Sequence, residues 1–158
     1  MKTTTQAARE NQRTGKSQEE KNKDLVRRAV DEVWNRGEYG NLAEFVAREF
    51  VVHATAPGED ILGYDGIKRF YSALRESFPD IHFTIKDQIA EGDKVVTHWT
   101  ARGTHQGEFN GIAPTGRKVT LTAIDIDRIV NGKAVECWSY MDELGLLRQL
   151  GRLDEKGK

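Results

Sequence analysis

The chain has 158 residues, 37% of them hydrophobic and 31% charged, with a formal net charge of −1. That length suits one domain with a single substantial core, and the absence of a basic excess argues against a nucleic-acid-binding protein. Apolar runs are only a few residues long, so no membrane span is expected, and nothing after Met1 resembles a secretory signal. Cys137 is the single cysteine and cannot form an internal disulfide, which makes a reducing cytoplasm the expected compartment. One cysteine and four scattered histidines give no metal-ligand spacing, and no Gly-rich phosphate loop joins a strand to a helix. Neither a metal nor a cofactor is expected.

In chain order, residues 1–17 are polar and aperiodic, as in a disordered or appended tail. Residues 18–151 form the domain, and 152–158 are a polar C-terminal tail. Ser17 or Gln18 starts a helix with Leu25, Val26, Ala29, Val30, Val33 and Trp34 at helical spacing, and Asn35-Arg36-Gly37 stops it. Asn41 is placed to cap a short helix from Leu42 to Ala47, followed by a strand over Phe50-Val-Val-His53. Asp65 is placed to cap a third helix to about Ser77, with Ile67, Phe70, Tyr71, Leu74 and Phe78 as its buried stripe and Pro79 as its end.

Everything after Pro79 is strand-like. His82 to Glu91 and Lys94 to Thr104 flank a turn at Gly92-Asp93, which sets Asp87 opposite His98 as a structural ion pair. Two β-branched runs then flank Asn131-Gly132, the strongest short-range hairpin signal, because both residues tolerate the positive φ of a type I′ turn. An uninterrupted hairpin pairs Val130 with Lys133, Asp125 with Trp138 and Ala123 with Tyr140. It also puts Asp125 and Asp127 on one face and Ile124, Ile126, Val135 and Cys137 on the other. A last helical turn runs from Leu144 to Leu150. Helices first and long strands afterwards define an α+β domain. The expected form is a strongly curved antiparallel sheet whose N-terminal helices cover the concave face and leave a conical cavity, with Asp125 pointing into it. The outer apolar face is expected to carry a homodimer.

Several short segments, in order, resemble one family. They are Phe50-Val-Val-His53, Ser77-Phe-Pro-Asp80, Glu91-Gly-Asp-Lys-Val95, Arg102-Gly-Thr-His-Gln-Gly107, Ile112-Ala-Pro-Thr-Gly116, Ile124-Asp-Ile-Asp-Arg128, Gly132-Lys133 and Leu147-Arg-Gln-Leu-Gly151. Together they resemble the SnoaL-like polyketide cyclases of the NTF2-like (cystatin-like α+β barrel) superfamily over roughly residues 20–151. For a cyclase, the resemblance implies an intramolecular aldol condensation without metal or cofactor, with an acidic residue at the position of Asp125 as general acid/base. It also matches His53 and His105 to pocket histidines. Asp127 departs from the pattern, where a bulky apolar residue is usual, and either interacts with Asp125 or sits at a wet rim beside Glu136.

Each candidate also has a plainer role. Asp125 is either a proton shuttle raised in pKa by burial or a structural carboxylate. His53 and His105 are either pocket-lining or structural. Trp34, Tyr71, Phe78, Trp99, Trp138 and Tyr140 are core aromatics that also suit the walls of a site for a small apolar or polycyclic carbonyl ligand. A non-catalytic binding module, or an isomerase or hydrolase using the same cavity, remains the alternative.

Overall fold

The computed structural model describes residues 15–53 and 60–153, so most of the expected N-terminal tail, the loop after His53 and the last five residues lie outside it. Helix α1 spans Gln18–Ala29 and continues as a π-helical turn, Val30–Asn35. Ser17 caps it, its Oγ accepting from the Glu20 N–H at 3.2 Å, and the acidic first turn and basic last turn match the helix dipole. Gly37, at φ +72°, ends it as expected. The carbonyls of Trp34 and Asn35 at the wide turn accept from the Arg75 guanidinium. The Asn35 side chain pairs with the backbone of Phe83 in both directions, at 3.0 and 2.8 Å.

After a 3₁₀ turn at Tyr39–Asn41, α2 is a single turn, Leu42–Phe45, with no capping bond from the Asn41 side chain. The helix stops two residues early because β-branched Val46 is already extended and opens β1, Val46–His53. A two-residue strand β2, Ile61–Leu62, leads into α3, Gly63–Ser77, so Asp65 lies within the first turn rather than capping it. Ile67 is buried and Tyr71 and Leu74 partly so, whereas Phe70 is exposed and presents its edge to Tyr71. Strands β3 (His82–Glu91), β4 (Lys94–Thr104), β5 (Lys118–Val130) and β6 (Lys133–Met141) follow, then α4, Glu143–Gln149.

Among the described residues the sheet has six strands in the order β2-β1-β6-β5-β4-β3 and is not closed. It is mixed rather than wholly antiparallel, because β1 runs parallel to β6. The β3–β4 register is the expected one from Glu91↔Lys94 to Asp87↔His98, where a bulge shifts it to Ile85↔Trp99. Asp87 and His98 face each other without an ion pair; the Asp87 carboxylate accepts from the Gln88 N–H. The β5–β6 turn is the expected one, Asn131 and Gly132 both having positive φ, and Val130 pairs with Lys133. The register then slips by one residue, since Ile129 pairs with Ala134 but Arg128 with Glu136. This bulge at Val135 puts Ser139 opposite Asp125 and Cys137 opposite Asp127, and it turns Trp138 and Tyr140 to the outer face.

Two buried clusters fill the inside of the curve. One joins Val33, Leu42, Phe45 and Ile67 to Val95, Ile129 and Cys137; the other joins Phe78, Phe83, Trp99, Ala123, Leu146 and Leu150. Trp34 and Tyr71 pack against both clusters and stack on each other at 4.2 Å. Beyond the second cluster, the end of α3 is tied to the segment after β4. Gln106 and Gly107 donate to the Ser77 carbonyl, Ser77 Oγ donates to the Glu108 carbonyl, and the Asp80 carboxylate accepts from Thr104 twice. A Cβ on Gly107 would lie 2.2 Å from the Glu76 carbonyl oxygen. Gly107→Ala is therefore expected to lower stability by about 2 kcal/mol or more, read from urea unfolding with an unchanged m-value. Gly40→Ala, with open space around the new methyl, should stay within about 0.5 kcal/mol.

Candidate active site

Asp125 stands in mid-strand on the inner face of β5, between Thr97 of β4 and Ser139 of β6. One carboxylate oxygen, Oδ2, accepts from the Trp99 indole N–H at 2.8 Å, and Oδ1 accepts from the Ser139 hydroxyl at 2.6 Å. Both donors are neutral. Burial pushes the Asp125 carboxyl above the ordinary carboxylate range, and these two bonds pull it part of the way back.

Asp127 shares that face, opposite Val95 and Cys137. Burial first, and the Asp125 charge second, raise it to about 7, against a smaller lowering by a hydrogen bond with the Cys137 thiol. Burial, reinforced by the nearby carboxylates, holds both the Tyr71 phenol and the Cys137 thiol well above their usual values, so neither ionises near neutral pH. Among the described residues no lysine, arginine or histidine pairs with Asp125 or Asp127, and no group of three or more His, Cys, Asp or Glu side chains is placed to hold a metal ion. The amide nitrogen of Gln88 donates to Thr97 Oγ1 at 3.2 Å. Gln88 Oε1 and the Tyr39 hydroxyl are buried with no hydrogen-bond partner among the described residues.

The structure brings Tyr71 and Trp99 to Asp125 but neither histidine. His53 ends β1 opposite Trp138 and stacks on its ring at 5.1 Å. Its two nitrogens lie 3.4 Å from Asp60 and from Glu136, and Glu136 also accepts from Arg128 at 2.6 Å. This cluster is on the outer face, which places Glu136 across the sheet from Asp127. His105 is fully buried eight residues beyond Thr97, about 26 Å of strand by the usual rise. Its Nδ1 accepts from the Thr115 N–H at 3.2 Å and meets Thr115 Oγ1 at 3.0 Å, which assigns the ring proton to Nε2. Phe78 packs on that ring at 5.3 Å and edges onto Phe109.

Of the expected aromatic walls, Trp99 and Tyr71 border the carboxylates and Trp34 stacks on Tyr71, Phe78 belongs to the buried knot around His105, and Trp138 and Tyr140 face outward. Sequence reasoning missed Ser139, because it took the hairpin as unbulged. The small residues Cys137 and Ser139, alternating with bulky Trp138 and Tyr140, were the available sign that the small set faces inward.

The curved, unclosed α+β sheet with helices on its concave side is the NTF2-like fold. Residues 24–150 match the family model of the SnoaL-like polyketide cyclases, and the chain belongs to that family. It is 31% identical over 130 residues to the aklanonic acid methyl ester cyclase DnrD of Streptomyces peucetius, covering 81% of this chain and 89% of that one. Among solved structures, IdmH of Streptomyces antibioticus, a candidate polyketide cyclase, is 32% identical with a TM-score of 0.72, over 82% of this chain and 98% of that one. AclR of Streptomyces galilaeus, a candidate hydroxylase, is 29% identical with a TM-score of 0.76, over 87% and 85%.

The raised carboxyl of Asp127 has a measurable cost. An unfolded aspartate titrates near 3.8 and the folded one near 7, so the folded state holds the proton more tightly. Stability conferred by that proton is complete below about pH 4 and is lost as pH rises through about 7. Asp127→Asn is expected to remove this downward slope, shown by comparing urea-unfolding free energies of both proteins across the window.

Proposed function

We propose that the protein is a cofactor-independent cyclase that closes a ring by intramolecular aldol condensation of an apolar, polycyclic carbonyl compound. The observation that carries this reading is Asp125, a carboxylate with both oxygens held by neutral donors in an aromatic surround and, among the described residues, no cation to neutralise it. Such a group accepts a proton α to a carbonyl, because raised basicity and fixed geometry both favour transfer. The enolate so formed attacks a second carbonyl of the same molecule, one C–C bond forms, and the resulting alkoxide takes up a proton. Substrate and product are isomers, so the balance needs no oxidant and no co-reactant. Trp99 and Ser139 act as positioning residues, and the stacked Trp34–Tyr71 pair offers a flat wall for a planar ligand. His53 and His105 have no part in this step, given their placement.

DnrD being an aklanonic acid methyl ester cyclase, that ester is the first probe. Wild type is expected to convert it to a product of unchanged mass, and Asp125→Asn to lose about 10²–10⁴ in kcat while still binding it in a thermal-shift assay. An Asp125→Asn variant with wild-type kcat would end the assignment. Binding by both proteins with no conversion by either would favour a binding module, a reading to which the unsatisfied Gln88 and Tyr39 oxygens also lend support. A reducing cytoplasm remains the proposed setting, on the unpaired thiol of Cys137.

A second copy is proposed to cover the outer sheet face. One cross-strand row there runs Ile89, Val96, Ile126, Trp138 and His53, and the next carries His98, Ile124 and Tyr140. Ile89, Ile124 and Tyr140 are 64%, 44% and 56% exposed, an unusual concentration for a surface meeting only water. Cys137, expected on this face, is buried inside, whereas Ile124 and Ile126 stand on it as foreseen, beside Ile89, Val96, Trp138 and Tyr140. Sedimentation equilibrium should show a dimer, and Ile124→Asp combined with Tyr140→Asp should give a folded monomer.

A further inference from the structure

We propose that the acid and the base of this site are separate residues: Asp125 takes the proton from carbon, and Asp127, a neutral carboxylic acid on the same face of β5, hands its own proton to the alkoxide left by ring closure. This rests on the cyclase reading above and assigns the half of the proton traffic that Asp125 alone leaves open.

The geometry separates the two carboxyls by what faces them. Asp125 has a hydrogen-bond donor on each oxygen, an arrangement that suits the anion. Asp127 is met from β6 by the Cys137 thiol and from β4 by the Val95 side chain, from α3 by the Tyr71 phenol, and along its own strand by Asp125. None of these is a cation, and the thiol and the phenol are both neutral. Two carboxylates two residues apart on one strand face cannot both ionise cheaply in such surroundings, so one proton stays with the pair. It stays on the member with fewer donors. Gln88 Oε1 and the Tyr39 hydroxyl, buried without partners in the same interior, mark polar positions that a ligand's own groups can complete.

The proton balance closes. The substrate C–H bond breaks and its proton goes to Asp125, while the electron pair forms the new C–C bond. The carbonyl oxygen that becomes an alkoxide takes the proton of Asp127. Asp125 then carries a proton and Asp127 a charge, the reverse of the starting state. A transfer between neighbours on one strand face, directly or through one water, restores it.

Two readouts test this. The first uses the free protein labelled with ¹³C at the aspartate carboxyls. One resonance should titrate near 7, vanish in Asp127→Asn, and move to lower pH in Asp125→Asn, where the neighbouring charge is gone. Titration of Asp127 in the ordinary carboxylate range, or assignment of the raised resonance to Asp125, would overturn the proposal. The second is the pH dependence of kcat/KM with aklanonic acid methyl ester. Wild type should lose activity as pH rises through the Asp127 titration; Asp127→Asn should fall about 10²-fold or more and lose that limb, and Asp127→Glu should restore it. A limb that survives in Asp127→Asn would also overturn the proposal. Failure of the wild type to convert the ester counts against the cyclase reading itself, and the carboxyl titration then decides where the proton sits.

Discussion

A carboxylate inside a protein needs something to replace water, and among the described residues no cation does so for Asp125. Asp125 is held instead by an indole N–H and a hydroxyl, each a neutral dipole on a different strand. That solution works only if β4, β5 and β6 keep their mutual register to the residue, because Trp99 and Ser139 reach Asp125 from opposite sides. The helices contribute less directly. Trp34 and Tyr71 stack on each other where the two buried clusters meet, so this aromatic pair is the seam of the core. Neutral donors leave the carboxylate more basic than a salt bridge would, and basicity is what proton abstraction from carbon requires.

The fold was largely legible in the chain. Asn131-Gly132 gives the turn its positive φ values, the period-2 runs give the strands, and the helical spacing of Leu25 to Trp34 gives α1. The interior was only partly legible, and the reason is a single extra residue. A bulge leaves no mark on hydrophobic alternation when its neighbours are of mixed polarity, as Val135-Glu136 are, and one slipped residue inverts every side chain beyond it. The inward direction of Asp125 was legible because its own strand is regular, whereas its donor Ser139 lies past the bulge on the partner strand. Trp138 and Tyr140 were misplaced by the same slip.

Two motifs that look chemical in the sequence do mechanical work. Ser77-Phe-Pro-Asp80 and Arg102-Gly-Thr-His-Gln-Gly107 meet each other: the Asp80 carboxylate binds Thr104, the Ser77 carbonyl binds Gln106 and Gly107, and the Phe78 ring covers His105. The histidine that the resemblance matches to a pocket lies within the contact that fastens the end of α3 to the sheet. Tyr71 lies six residues before Ser77 on α3, so the same ties hold the helix that carries it.

The amide of Asn35 has a consequence for how molecules of this protein meet. By bonding the N–H and the carbonyl of Phe83, it occupies the outward backbone groups of β3 at that point. An open sheet invites strand-by-strand growth along its margins. Among the described residues one margin ends in the two-residue strand β2, and the other carries a side chain that imitates an added strand. Lateral extension into a continuous ribbon is thus discouraged at both of these points.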